Sequence, residues 1–434
     1  MALVGSSVGL GNIWRFPFLV GDYGSAFLLC YVLCLLLLSI PILNCEFIIG
    51  RFSRSNAYRA YKSQGKRSVW NLVGILTLLV PIVVFSYYSV VGGWALDYLF
   101  KACTFTFTRA SGMEEIGAMF SSMVEGPWIP IIWAVLFFLI TAYIVVAGVQ
   151  SGIEKFSKVM MPLLFFLMLA ISVWALTLPG SVDGLNFLFD FSSSTFSIKM
   201  VSAAMGQAFY SVSVGAGAMI TYGSYMNDDE KLLSSSMKTA FFDFLFALIA
   251  SLAILPATFA FGGDPGQGAG LAFRTMPMIF STMPAGGFVA IVFFFALVLA
   301  ALTSTASLFE VNVAHLVEER KIKRIKAALI VLSICVTFGV LCSLSFGPLA
   351  DFKILGLTIF DLMDQLSANV LMPLCGLCSC LYVGWQMSRK DVYAEMTNYG
   401  RLRLPRGSFR LIYALIRYVS PILLFTVMIA NFLA

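Results

Sequence analysis

The sequence predicts an all-α polytopic membrane protein: ten spans in two repeats of five with opposite orientation, then an eleventh helix. Three observations carry this. The 434 residues are 60% apolar and 12% charged, with a mean hydropathy of +0.91. Soluble domains carry about 25% charged residues, and here apolar runs long enough to cross a bilayer recur along the whole chain. The string Ser7-Val8-Gly9-Leu10-Gly11 returns as Ser213-Val214-Gly215-Ala216-Gly217, so two hydrophobic segments in matching places share one interruption. Basic residues crowd alternate loops, which sets an orientation.

Eleven spans are expected near residues 1–21, 24–50, 70–100, 128–149, 154–178, 197–225, 237–261, 283–318, 325–346, 357–386 and 409–433. The loops after spans 2, 8 and 10 hold most of the arginine and lysine, which places them in the cytoplasm. The N-terminus is then inside and, with eleven spans, the C-terminus outside. Spans 1–5 (residues 1–180) and 6–10 (181–390) form the repeats; 391–434 holds an inner loop and span 11. The chain begins within span 1, so a cytoplasmic segment is expected before it. The net charge of +6 is no nucleic-acid signal, because the basic residues lie in short loops.

Span 1 carries Gly5, Gly9 and Gly11 beside Asn12 and Arg15. Each glycine costs a helix interior about 1 kcal/mol, and an arginine at the bilayer centre roughly 2.5–3.5 kcal/mol. Either this is a close-packing face of small residues or the helix is built to break, turning freed carbonyls and amides toward a ligand. The repeat of the string in span 6 favours the second. Paired interrupted segments in two halves point to a transporter binding site near the membrane midplane.

Span 2 places Glu46 where it could bond freed amides. Tyr87-Tyr88 in span 3 could aim a phenol at the cavity, although buried tyrosines are usually packing residues. Gly152 and Pro162 flank the start of span 5, where a proline loosens the preceding turn; local unwinding and an ordinary kink are both open. Asp243 in span 7 lies between Phe242 and Phe244 and calls for a cation or an acid partner. Span 8 sets Thr303 and Ser304 one turn from Ala300; their hydroxyls could hold a hard cation or bond back to their own helix. Glu310 has no evident partner. Arg15 and Asp364, at the outer ends of spans 1 and 10, could pair over a cavity. Cys375, Cys378 and Cys380 read as packing residues inside a span. A single histidine, His315, with no nucleophile–base set and no phosphate loop, argues against an enzyme. The outer loops near 101–127, 180–197 and 262–282 read mostly as solvated connections.

Taken together, the strings Gly9-Leu10-Gly11-Asn12-Ile13-Trp14-Arg15-Phe16-Pro17 and Gln207-Ala208-Phe209-Tyr210-Ser211-Val212-Ser213-Val214-Gly215, with Leu302-Thr303-Ser304 and Tyr87-Tyr88, resemble the neurotransmitter:sodium symporter family, in its eleven-span prokaryotic branch. The resemblance runs from Gly5 to about Ala430. It implies a LeuT-type fold with spans 1 and 6 broken, and uptake of an amino acid or related amine with sodium. It implies two sodium sites: a first from Ser7, Asn12, Ser211 and Asp243, and a second from Gly5, Val8, Ala300, Thr303 and Ser304. Substrate would lie against Ser7, Leu10, Gly11, Val84, Tyr88, Tyr210, Ser211, Ser213, Ala216, Ser304 and Leu308. Arg15, Asp364 and Gln207 would gate the outer side, and Tyr225 and Glu318 the inner side, whose basic partner would precede this chain. Gly152 and Pro162 match a motif that unwinds span 5. The resemblance implies a plasma- or inner-membrane protein, monomeric or weakly dimeric, with no organic cofactor.

Two positions depart from the family. Chloride-dependent members have Asn at the place of Asp243 and Ser one turn later, where Ala247 stands here; chloride is therefore not expected, with Asp243 supplying its charge. Ala216 replaces the Phe or Met common in relatives, which frees on the order of a hundred cubic ångströms and suggests a large hydrophobic or aromatic amino acid. Protons as driving ion through Asp243, transport of another small amine, and a substrate-gated channel or sensor stay open at this point.

Overall fold

The computed structural model describes residues 9–64, 69–110, 112–147, 150–191, 196–266 and 268–433. These residues are helical throughout, with one isolated bridge between Ile354 and Leu357. Among the described residues, eight helices have the length and composition to cross a membrane. They are Ala26–Ser53 (span 2), Val69–Cys103 (span 3), Ile129–Val146 (span 4), Leu232–Ala260 (span 7), Gly286–Arg320 (span 8), Arg324–Leu344 (span 9), Ile359–Gln386 (span 10) and Arg406–Ala430 (span 11). Span 5 is the helix Gln150–Leu176, and the chain then turns by 114° into Ser181–Phe189.

Span 6 is interrupted, and span 1 is described only in part. Span 6 divides into Ile198–Ser211 and Ala218–Tyr225. Between them Ser213, Gly215 and Gly217 take φ of 55°, 78° and 71°, in the left-handed region that ends a helix. Span 1 is described from Gly9, which is extended, and continues as Leu10–Ile13 and Arg15–Tyr23. Gly5, Ser7 and Val8 lie outside the described residues.

Three spans meet a proline by switching to a π turn that ends two residues before it. The turns are Leu35–Ser39 before Pro41, Leu366–Leu371 before Pro373 and Leu415–Val419 before Pro421. Proline lacks the N–H that would bond the carbonyl four residues back. Two of the freed carbonyls are taken by side chains of other spans. Ser420 Oγ donates to the Leu37 carbonyl at 2.6 Å, and Trp385 Nε1 to the Arg417 carbonyl at 3.1 Å. In a bilayer such groups have no water to turn to, so the defects of spans 2 and 11 become bonds among spans 2, 10 and 11.

The outer loops differ from the solvated connections expected. They carry the helices Met113–Glu125, Ser181–Phe189 and Leu271–Thr282. Phe120 and Phe273 are buried and stand edge-on to Trp94 at 5.0 and 5.8 Å, with Phe346 at 5.2 Å. The apolar residues of these loops recur at helical spacing, and that outweighs their glycine and proline content. The helix Gln150–Leu176 runs through Gly152 and Pro162. A proline inside a helix removes one bond, and the rest of the ladder holds.

Candidate substrate and cation site

The start of the described part of span 1 meets the break of span 6, where Asn12 touches Ser211. Asp243 of span 7 is fully buried there. Its Oδ1 accepts from Asn12 Nδ2 at 2.9 Å and from Ser211 Oγ, and its Oδ2 from Tyr31 Oη. Asn12 Nδ2 also reaches Ser211 Oγ at 3.0 Å, while Asn12 Oδ1 holds the amide of Gly9 at 3.1 Å. Three members of the first expected cation set, Asn12, Ser211 and Asp243, are thus in mutual contact; Ser7 is the one not described. All donors to the carboxylate are neutral, and among the described residues no lysine or arginine pairs with it. A buried carboxylate held this way keeps an uncompensated charge, which fits a small hard cation with oxygen ligands. Tyr31 was not foreseen. It is the only hydroxyl-bearing side chain between Ala26 and Leu38, a signal visible in the sequence but without an address.

In the second expected set, Thr303 Oγ1 and Ser304 Oγ both donate to the Ala300 carbonyl, at 2.8 and 3.3 Å. Back-bonding to their own helix gathers three oxygens within one turn. Gly5 and Val8, the span-1 members, are outside the described residues.

A cavity of about 30 Å³ adjoins the Asp243 cluster. Its walls include nine of the expected substrate residues: Gly11, Val84, Tyr88, Tyr210, Ser211, Ser213, Ala216, Ser304 and Leu308. Leu10 is fully buried and does not line it. Gly9, Asn12 and Met372 complete the wall. The space holds about two water molecules. Met372 of span 10 is the unexpected element beside Ala216. The backbones there touch, since a Cβ on Gly215 would fall 2.3 Å from the Met372 carbonyl. Gly11 is equally constrained: a Cβ there would lie 2.8 Å from the Tyr210 ring.

Above the cavity the Tyr88 and Tyr210 rings stand 6.0 Å apart. Arg15 grips Asp364 with two bonds, Nε–Oδ1 at 3.1 Å and Nη2–Oδ2 at 3.0 Å, and donates through Nη1 to Gln207 Oε1 at 2.8 Å. Its guanidinium lies 5.3 Å from the Tyr210 ring centre. The bidentate geometry suits a buried arginine–carboxylate pair. All the expected outer-gate residues therefore meet over the cavity. Below it, Glu46 Oε1 accepts from the Gly215 amide at 2.7 Å, so span 2 caps the break in span 6 as expected.

The inner side is less complete. Glu318 accepts from Asn56 Nδ2, a partner not foreseen, and Tyr225 is 69% exposed. Glu310, without an evident partner in the sequence, pairs with Arg324, whose guanidinium also bonds the Val145 carbonyl at 3.0 Å.

Comparison with known proteins agrees with this architecture. The profile of the sodium:neurotransmitter symporter family matches residues 1–117 and 128–434. An uncharacterized sodium-dependent transporter of Bacillus subtilis (strain 168), YhdH, is 36% identical over 97% of this chain and 93% of its own length. An uncharacterized sodium-dependent transporter of Haemophilus influenzae is 30% identical over 99% of this chain and 96% of its own. The crystal structure of MhsT in complex with L-phenylalanine superposes with a TM-score of 0.94 at 38% identity, covering 99% of this chain and 97% of that one. By these matches the chain belongs to the sodium:neurotransmitter symporter family of sodium-dependent membrane transporters, on the LeuT fold.

Proposed function

We propose that this transporter couples inward sodium movement to uptake of a large hydrophobic or aromatic amino acid, by alternating access and without chloride. The observation that carries the reading is Asp243: buried, bonded by three neutral donors, and touching through Asn12 and Ser211 the wall of the central cavity. A fixed carboxylate supplies the negative charge that a bound chloride would otherwise have to bring. The similar protein MhsT, solved with L-phenylalanine, supports an aromatic substrate, as does an apolar wall of Val84, Ala216, Leu308 and Met372.

In this reading Asn12, Ser211 and Asp243, with Ser7, take one sodium ion, and the substrate carboxylate completes the set. Ala300, Thr303 and Ser304, with Gly5 and Val8, take a second and tie span 1 to span 8. The helix start at Leu10 favours an anion such as the substrate carboxylate, and Tyr88 donates to it. The side chain then occupies the apolar end of the cavity, where Met372 has the unbranched flexibility to swing aside. Both ions stabilise the outward-facing form; loss of the second toward the cytoplasm releases the inner half of span 1. In this reading that side, and the N-terminus, face the cytoplasm, which the lysine and arginine of the basic loops support.

The test is uptake of labelled phenylalanine into proteoliposomes of the purified protein in gluconate buffer. An inward sodium gradient should drive accumulation, and adding chloride should leave it unchanged. Accumulation driven by a proton gradient without sodium, or a requirement for chloride, overturns the reading.

A further inference from the structure

The inner ends of spans 10 and 11 hold a cationic cluster that the transport cycle leaves unused. Arg417 lies inside span 11, where an arginine costs energy unless it is paired or reaches the interface. It has no carboxylate partner among the described residues. Its guanidinium carbon sits 4.6 Å from the Trp385 ring centre, 5.5 Å from Tyr418 and 6.0 Å from Tyr413. Nη1 donates to Tyr413 Oη at 3.3 Å, and Nε is buried without a partner. Arg389 approaches the same Tyr413 ring at 5.4 Å, and Phe409 at 5.6 Å, again with no carboxylate among the described residues. Two guanidinium groups therefore share one aromatic ring with no anion between them.

The depth of this cluster is set by its neighbours. A Cβ on Gly384 would fall 3.0 Å from Arg417 Cα, and Trp385 bonds the Arg417 carbonyl. Arg417 is thus level with the end of span 10 at Gln386, at the membrane–water interface on the basic side. Trp385 and Tyr418 are 58% and 50% exposed, as interfacial anchors are. Residues 387–420 hold seven basic residues against Asp391 and Glu395. Glu395 already serves Arg51 at 3.1 Å, and Asp391 accepts from Ser388 Oγ at 2.7 Å.

We propose that Arg417 and Arg389 form a binding site for the phosphate of an anionic phospholipid at the inner interface of spans 10 and 11. The guanidinium fork matches a phosphate diester, the exposed Trp385 and Tyr418 rings suit the headgroup level, and the acyl chains run along the apolar flank of span 11. A juxtamembrane basic cluster attracts anionic lipid by about 1 kcal/mol per cationic side chain, which is roughly fivefold in affinity.

Native mass spectrometry of the purified full chain in detergent, titrated with phosphatidylglycerol or phosphatidylcholine, tests this. Phosphatidylglycerol should be retained as a defined adduct and phosphatidylcholine should not. Arg417→Gln and Arg389→Gln should each weaken that adduct about fivefold, Arg417→Lys less, and Arg403→Gln, on the exposed loop, not at all. Arg389 lies on the loop helix Arg389–Thr397, so its variant carries the test if Arg417→Gln fails to fold. Equal retention of the two lipids, or wild-type retention by both glutamine variants, overturns the proposal. So does displacement of the lipid by millimolar inorganic phosphate, which would make free phosphate the ligand.

Discussion

At the scale of single residues, the Asp243 cluster makes a specific demand on Tyr31. Its hydroxyl is one of three neutral donors to a carboxylate with no cationic side chain nearby. A hydrogen bond to a charged group contributes about 1.5–3 kcal/mol, so Tyr31→Phe should lower the melting temperature of the sodium-free protein. Saturating sodium should recover much of the loss, because a ligand bound only by the native state stabilises it by mass action. An unchanged melting curve in both conditions would remove Tyr31 from the cluster. Gly11 supports a second prediction. A methyl group there meets the Tyr210 ring at 2.8 Å, and such overpacking costs about 1–3 kcal/mol. Gly11→Ala should therefore weaken substrate binding about tenfold or more, with little change in melting, since the ring can turn outward only at the expense of closure over the cavity. Among single residues, the outer gate was the most legible in advance. The Arg15–Asp364 pairing was readable from the cost of two charges inside spans, whereas Gln207 and Tyr210 beside it were expected from the family resemblance. Tyr31 and Met372 were not legible, because each acts through a partner on another span and nothing in their own neighbourhood fixes which face of the helix they take.

At the scale of elements, interruption is the organising device. Span 6 is broken at Ser213, Gly215 and Gly217, in a string whose repetition of the one in span 1 was readable. Spans 2, 10 and 11 carry π turns that were not, because a π turn shifts the apolar pattern by a single residue and leaves no mark in composition. Their consequence is testable at Pro41. That proline frees the Leu37 carbonyl, and Ser420 Oγ takes it at 2.6 Å. Ser420→Ala should destabilise the protein by about 1–3 kcal/mol, the cost of an unsatisfied buried acceptor. Pro41→Ala restores an N–H that can serve the same carbonyl, so the double variant should be more stable than Ser420→Ala alone. Additive destabilisation, measured by thermal melting of the four proteins in the cycle, would show that Ser420 and Pro41 act independently. The outer helices teach the same lesson from the other side. Their glycines and prolines suggested solvated loops, whereas the buried face of Phe120, Met123, Phe273 and Phe280 anchors them around Trp94.

At the scale of the whole molecule, the Arg15–Asp364 pair lies against Tyr210, which with Tyr88 lines the cavity, and Asp243 is within reach of its wall through Asn12 and Ser211. The proposed coupling rests on shared contacts: Asn12 and Ser211 belong both to the carboxylate cluster and to the cavity. A ligand on either side changes the affinity of the other by the same factor. The measurement that bears most directly on this is equilibrium binding of labelled tryptophan, tyrosine, leucine and glycine to the purified protein, with and without sodium at fixed ionic strength and with chloride absent. The account predicts that the large residues bind only when sodium is present, that glycine binds poorly, and that saturating substrate raises sodium affinity by the same factor. Binding of the large residues that is indifferent to sodium, or tight binding of glycine alone, would contradict it.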